Sequence, residues 1–105
     1  MQKAARYYEQ ALDILREVND FFGEGQTLLN ISLLYSEMHR NDVVLASLLL
    51  ARELFRNVQS LDYDRAQRQI ETLREEIGER SFAALLRSVE SQELQLVEQA
   101  LLMDT

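Results

Sequence analysis

The sequence predicts an all-α fold of about six helices, and three observations support this prediction. The 105 residues include no proline and three glycines, although the turns of a β-rich fold usually call for glycine, proline, asparagine or aspartate. Leucine, alanine, glutamate, glutamine and arginine, which favour helices, dominate the chain instead. Apolar residues also recur at the three- and four-residue spacing of amphipathic helices.

The first two predicted helices span residues 2–18 and 21–38. One face of the first is small or apolar along its length, at Ala4, Tyr8, Ala11, Leu12, Leu15 and Val18. Asp20 follows the break in this pattern and is a suitable N-cap, because its carboxylate can accept hydrogen bonds from free backbone N–H groups. The second helix is apolar around most of its circumference, so we expect it to have neighbours on several sides.

The third and fourth predicted helices span residues 43–58 and 62–77. The core row of the third consists of Val44, Leu48, Ala51 and Phe55. The fourth has one apolar strip in a polar surface, made of Ala66, Ile70, Leu73 and Ile77, and this pattern is typical of an exposed flank. We expect Gly78 to end this helix in the left-handed αL conformation.

Two shorter helices are predicted at residues 81–89 and 91–103. Their apolar positions are Phe82, Leu85, Leu86 and Val89 in the first, and Leu94, Val97, Ala100 and Leu101 in the second. Ser91, with Glu93 in the first turn, predicts the start of the last helix.

Composition excludes several classes of protein. The net charge is −7 and Lys3 is the single lysine, whereas nucleic-acid binding depends on phosphate neutralisation by Lys and Arg. Neither nucleic acid nor a membrane surface is therefore an expected partner. The absence of cysteine excludes disulfides and zinc–thiolate sites. Residues 1–6 lack the apolar core of a signal peptide, so the expected location is the cytoplasm.

No constellation of residues predicts an enzyme. His39 is the only histidine, and no second base or ligand stands at a telling spacing from it. Gly23 and Gly25 do not form a phosphate loop, because Leu28 occupies the next required glycine position. The glutamates lie on polar faces without a cleft that would separate their environments. We expect no catalytic residue, no metal site and no cofactor.

The chain repeats itself with a period of forty residues. The aligned pairs are Ala4 with Val44, Tyr8 with Leu48, Ala11 with Ala51, Leu15 with Phe55, and Val18 with Val58. Such periods indicate stacked supersecondary units, each of which needs a neighbour to cover its apolar face.

The repeat resembles the tetratricopeptide repeat (TPR) family. The stretch from Tyr7 to Glu17 is similar to the second helix of a TPR, and the stretch from Gly23 to Tyr35 is similar to the first helix of the next repeat. The likeness is to the longer variant found in kinesin light chains and in bacterial multi-repeat proteins. The large, large, small, large pattern of a first helix corresponds to Leu28, Ile31, Ser32 and Tyr35.

The resemblance implies a single domain, a right-handed superhelix of antiparallel helix pairs. Residues 2–19 would be the second helix of a truncated repeat, 20–58 one full repeat, 60–78 a degenerate repeat helix, and 79–105 capping helices. Because the chain opens with a second helix, we expect it to be a fragment of a longer array. Tyr7 and Ile14 are then expected to be exposed.

The resemblance also implies a concave surface that binds a protein or peptide. Its candidate residues are Gln26, Asn30, Leu33 and Glu37 on the second helix, and Arg68 on the fourth. The four on the second helix fall within roughly 60° of arc, and an asparagine amide can donate and accept at once. The alternative is an ordinary solvated stripe, in which Arg68 pairs along its own helix with Asp64 or Glu71.

The predicted function is a scaffold for protein–protein interaction within a larger bacterial cytosolic protein. The alternative is a structural or homo-oligomerising module. Leu45, Leu49 and Leu50 are the candidate surface for a homodimer, since an exposed apolar patch usually marks a contact. Equally, the C-terminal helices can fold back over these leucines.

Overall fold

The computed structural model describes residues 2–105, with side chains from position 3 onward, and six α-helices make up most of this range. They are α1 (Gln2–Glu17), α2 (Phe21–Glu37), α3 (Asn41–Asn57), α4 (Asp62–Ile77), α5 (Glu79–Val89) and α6 (Glu93–Met103). No strand occurs within residues 2–105. The predicted all-α class with about six helices is confirmed, and each helix end lies within two residues of its predicted position.

The first three turns between helices share one backbone geometry and recur every twenty residues. Each contains a residue with positive φ: Asn19 (58°), His39 (58°) and Gln59 (54°). The following N–H donates to the carbonyl oxygen five residues earlier, from Asp20 to Leu15 (2.8 Å), from Arg40 to Tyr35 (3.0 Å) and from Ser60 to Phe55 (2.9 Å). This long bond is that of a Schellman motif, which satisfies carbonyls at the helix end. The forty-residue sequence period thus has a structural counterpart.

The helix caps match the sequence prediction at one end and differ at two others. Asp20 is the N-cap of α2, and its Oδ1 accepts a hydrogen bond of 2.9 Å from the N–H of Gly23. Gly78 has φ 89° and ψ 159°, so the predicted αL conformation is wrong and the residue is extended instead. Ser91 was expected to start the last helix, but it lies in the preceding turn with φ 70°, and α6 begins at Glu93.

Helix α3 lies at the centre of the core and contacts α2, α4, α5 and α6. Its predicted core row, Val44, Leu48, Ala51 and Phe55, is buried. The Phe55 ring packs against Gly25 of α2 and lies 6.0 Å from the ring of Phe22, between centroids. Full burial of a Leu, Val or Phe side chain contributes about 1.5–3 kcal/mol, so this row fixes α3 against its neighbours.

The C-terminal helices fold back over α3. Helix α6 contacts both α1 and α3, and α5 contacts α3 and α4. The Tyr35 hydroxyl of α2 donates a 2.6 Å hydrogen bond to Asp104, just beyond the end of α6. The radius of gyration is 13.0 Å, close to the ~13 Å of a globular domain of about 100 residues.

Helix α1 is covered less completely than its repeat partner α3. Ala51 is fully buried, whereas the aligned Ala11 is half-buried. On the outer face of α1 the exposed fractions are 66% for Tyr7 and 59% for Ile14, and Val18, in the turn that follows, is 66% exposed. Tyr7 and Ile14 are therefore exposed, as expected, and this face of α1 has no neighbour within the described chain.

Candidate functional site

A groove lies between α2 and α4, and α3 forms its floor. Its volume is about 180 Å³, somewhat more than the roughly 150 Å³ cavity that is known to hold a benzene-sized group. The lining residues are Ser32, Leu33, Ser36, Val44, Leu48, Gln69, Thr72, Leu73 and Glu76. The space therefore suits one apolar side chain. We call it the α2–α4 groove.

The α2–α4 groove has an apolar floor and a largely polar rim. Val44, Leu48 and Leu73 are buried at the floor. Leu33 stands on the rim with 52% of its surface exposed. Beyond the first turn of α2, the other large apolar side chains are buried or packed against the core. Leu33 is the exception, and it offers an apolar contact at the mouth of the groove.

The predicted stripe on α2 lies on one side of the helix, but only Leu33 lines the groove. The Gln26 amide donates a 2.8 Å hydrogen bond to Asp62 and so joins the second turn of α2 to the first turn of α4. Asn30 and Glu37 are exposed. The Asn30 side chain has no hydrogen-bond partner within the described residues, so its amide can serve a ligand beside Leu33.

On α4 the groove is lined by a different face from the one that the sequence suggested. Arg68 is exposed and does not line the groove, whereas Gln69, Thr72 and Glu76 do. Adjacent residues of a helix point about 100° apart, so the direction in which α4 meets the groove differs from the predicted one by a single residue. Gln69, Thr72 and Glu76 follow the three- and four-residue spacing of one helix face beside the buried Leu73, and this spacing is the sequence signal that could have identified the face.

The three leucines proposed as a dimer surface differ in their surroundings. Leu45 is fully buried within the chain, and Leu49 and Leu50 are half-buried against the core. The buried Leu45 side chain offers no area to a second copy while the helices stay packed. The part of this surface that remains accessible belongs to Leu49 and Leu50.

A second and larger groove, of about 680 Å³, lies between α1 and α6. It is lined by Glu9, Leu12, Asp13, Arg16, Ser91, Gln92, Leu94, Gln95, Glu98, Gln99, Leu101 and Leu102. We call it the α1–α6 groove. Sequence reasoning did not anticipate it, because the pattern of α6 does not say against which helices α6 packs.

An ion pair joins α1 to α2 beside the α1–α6 groove. The Arg16 Nε donates to Glu24 Oε2 at 3.1 Å, and Glu24 is buried with 8% exposure. A buried carboxylate without a partner is costly, so Arg16 compensates the charge of Glu24. The one basic side chain lining this groove is thereby engaged with a residue of α2.

Comparisons with protein families, with curated proteins and with solved structures give no significant match to this chain. Within the described residues, no three His, Asp or Glu side chains are grouped so that they could hold a metal ion. None of the six helices in residues 2–105 combines the length and the apolar character needed to cross a membrane. Function is therefore inferred from the two grooves.

Proposed function

We propose that this chain is a protein-binding module of the TPR type that holds a peptide segment of its partner in the α2–α4 groove. Two observations support a repeat of this kind. The sequence period of forty residues is matched by turns of one geometry every twenty residues, and the small Ala51 of the repeat is fully buried at a helix crossing. The superhelical arrangement and a concave binding face form part of this proposal.

The exposed Leu33 above an apolar floor is the observation that carries the proposal. A single exposed leucine is ordinary on a protein surface, but Leu33 stands over the buried side chains of Val44 and Leu48, in a space that fits one apolar group. A ligand side chain placed there would be covered from both sides. The ligand is thus a peptide with one apolar anchor residue.

Polar groups around the groove supply contacts for the backbone of the peptide. Asn30 can donate and accept hydrogen bonds simultaneously, which suits the alternating N–H and C=O groups of an extended segment. Ser36 and Gln69 lie on the rim and can do the same. We place the module in the cytoplasm, as part of a larger bacterial protein, a setting that fits its lack of cysteine.

Selection from a displayed library of random peptides tests this function. Peptides enriched on the wild-type chain are measured by fluorescence polarisation against Leu33→Glu and Asn30→Ala. We expect Leu33→Glu to abolish binding, because it places a charge over an apolar floor. Asn30→Ala should weaken binding by about tenfold, the effect of losing one or two hydrogen bonds.

Leu61→Glu is the matched control, because Leu61 is 90% exposed and lies outside the groove. It makes the same chemical change and should leave binding intact. Selected peptides that bind Leu33→Glu and Asn30→Ala as tightly as the wild type would exclude the α2–α4 groove as the site. An enrichment indistinguishable from that on an unrelated helical protein would argue against a peptide-binding function.

A second candidate function, homo-oligomerisation, is favoured by the outer face of α1. Tyr7 and Ile14, seven residues apart on this helix, and Val18 just beyond its end are each more than half exposed. Contiguous exposed apolar surface usually marks an interaction site. Sedimentation velocity distinguishes the two functions: a dimer that Ile14→Glu dissociates supports self-association, and a monomer at all concentrations excludes it.

A further inference from the structure

The α1–α6 groove has the shape of a seat for a third helix. Its wall on α1 consists of Glu9, Leu12, Asp13 and Arg16, which follow the spacing of one helix face. These residues span roughly 10 Å along α1, at about 1.5 Å per residue. The opposite wall consists of Ser91 and Gln92, which precede α6, and of α6 itself from Leu94 to Leu102. Two helix faces of this length accommodate about two turns of another helix.

The floor of this groove is apolar and its edges are partly so. Leu12 and Leu101 are buried at 2% and 1% exposure, while Leu94 and Leu102 remain 44% and 64% exposed. A helix with apolar residues at positions i, i+4 and i+7 would cover the two exposed leucines. The volume of about 680 Å³ gives room for several such side chains.

Charge determines which helix fits. Glu9, Asp13 and Glu98 line the groove, and none of them forms an ion pair within residues 3–105. Arg16 is the one basic residue of the lining; its Nε pairs with Glu24 at 3.1 Å, and its buried Nη2 has no hydrogen-bond partner within the described residues. The rim is therefore acidic and uncompensated, so it complements Lys and Arg in a ligand and repels acidic ones.

We propose that the α1–α6 groove binds a basic amphipathic helix of another polypeptide, with its leucine-like anchors on Leu12, Leu94 and Leu102 and its Lys or Arg side chains beside Glu9, Asp13 and Glu98. This surface does not involve the α2–α4 groove, so the proposal is independent of the function assigned there. It gives the chain a second binding site with a different specificity.

A designed helix provides the probe. A labelled amphipathic peptide of about four turns, roughly 14 residues of Leu, Lys and Gln, is titrated with the wild-type chain and followed by fluorescence polarisation. Two further peptides are compared with it: one in which every Lys is replaced by Glu, and one with the same composition in scrambled order. We expect binding of the Leu–Lys helix alone, with amide NMR shifts changing along α1 and α6.

Two charge-matched variants distinguish binding through the carboxylates of the groove from non-specific attraction to the net negative charge of the chain. The triple variant Glu9→Gln, Asp13→Asn, Glu98→Gln should bind the Leu–Lys helix roughly tenfold more weakly, because each of the three exposed ion pairs contributes part of the binding free energy. The control Glu37→Gln, Asp64→Asn, Glu75→Gln changes the net charge equally at exposed positions outside the groove. It should change the affinity by less than about twofold.

Apolar variants complete the test. Leu102→Ser should weaken binding several-fold, whereas Leu61→Ser, at a leucine outside the groove, should not. Leu33→Glu should have no effect, so loss of the α2–α4 site and loss of this one are distinguishable. Circular dichroism and urea midpoints confirm that each variant is folded. Equal binding of the Leu–Glu helix, equal weakening by both triple variants, or abolition by Leu33→Glu would each overturn the proposal.

Discussion

The hydroxyl of Tyr35 donates a 2.6 Å hydrogen bond to the Asp104 carboxylate, across 69 positions of the chain. Tyr35 lies in α2 and is fully buried, while Asp104 follows directly after α6. The bond therefore fastens the C-terminal end of α6 to the core. Since α6 forms one wall of the α1–α6 groove, this contact also fixes the position of a candidate binding surface.

Tyr35→Phe should destabilise the fold while preserving its packing. The ring remains, but Asp104 loses its donor, and a hydrogen bond to a charged group contributes about 1.5–3 kcal/mol. Urea denaturation followed by circular dichroism measures the loss. Tyr7→Phe, at a tyrosine that is 66% exposed, is the control and should change stability by less than about 0.5 kcal/mol. Equal stabilities of the two variants would show that the bond to Asp104 is dispensable.

The same contact predicts a loss of stability in alkali. Burial, followed by the hydrogen bond to Asp104 and its negative charge, raises the pKa of Tyr35 well above its ordinary value of 10.0. The unfolded chain then releases the Tyr35 proton near pH 10 while the folded chain retains it, so the free energy of unfolding falls as pH rises above 10. Below pH 10 this contribution is fully present.

Urea midpoints measured from about pH 9 to 11 check the alkaline prediction, over the range in which an ordinary tyrosine ionises. The wild type should lose stability more steeply across this range than Tyr35→Phe, which has no proton to release at that position. Tyr7→Phe should follow the wild-type slope. Parallel slopes for all three proteins would mean that Tyr35 ionises equally in the folded and unfolded states.

The close approach of Gly25 to Phe55 predicts a second effect on stability. A Cβ atom at Gly25 would lie 2.6 Å from Phe55 Cε1, far inside the contact distance of two carbon atoms. Gly25→Ala should therefore overpack the α2–α3 crossing and cost about 1–3 kcal/mol, despite the higher helix propensity of alanine.

A smaller partner should restore what Gly25→Ala removes. In the double variant Gly25→Ala, Phe55→Leu the contact with the ring is gone. Its loss of stability should therefore be smaller than the sum of the two single losses by about 1 kcal/mol or more. Thermal and urea denaturation of the four proteins measure this coupling. Strict additivity would show that the Phe55 ring moves aside freely.

Local features of the sequence explain why the helices could be predicted. The periodicity of α1 to α4 and the carboxylate of Asp20 act within one or two helical turns, so they are legible in the sequence alone. Gly78 shows the limit of such reasoning. Glycine signals the end of α4, but the αL conformation and the extended conformation at φ 89° are equally open to it, and contacts elsewhere determine which is adopted.

The grooves depend on contacts between distant residues, and there the sequence was less informative. Leu33 could be placed on the open side of α2 because its neighbours in the stripe are polar. On α4 the sequence indicated Arg68 for a binding surface, whereas its neighbour Gln69 lines the α2–α4 groove; an apolar strip determines the buried direction of a helix more accurately than the exposed ones. The α1–α6 groove depends on where α6 docks, which the spacing of Val97 and Leu101 leaves undetermined.

The repeat relationship between Ala11 and Ala51 predicts unequal responses to the same substitution. Ala51 is fully buried, so Ala51→Leu should overpack its helix crossing and cost about 1–3 kcal/mol. The half-buried Ala11 has space on one side, so Ala11→Leu should cost less. Urea denaturation compares the two. An unchanged midpoint for Ala51→Leu would contradict close packing at that position, and equal losses would mean that α1 is enclosed as tightly as α3.

Gly78 allows a purely conformational prediction, because an added Cβ there would meet no atom within 4 Å. Its φ of 89° and ψ of 159° nevertheless fall in a region that is open almost exclusively to glycine. Gly78→Ala should therefore destabilise the chain by about 1–3 kcal/mol through backbone strain alone.

D-Alanine at position 78, introduced by chemical synthesis, is the control. It prefers the mirror-image region and should be neutral or stabilising by up to about 1 kcal/mol. Since both residues add the same methyl group, a difference between them in the urea midpoint isolates the backbone effect. Equal stabilities would show that the link between α4 and α5 adjusts its geometry without cost.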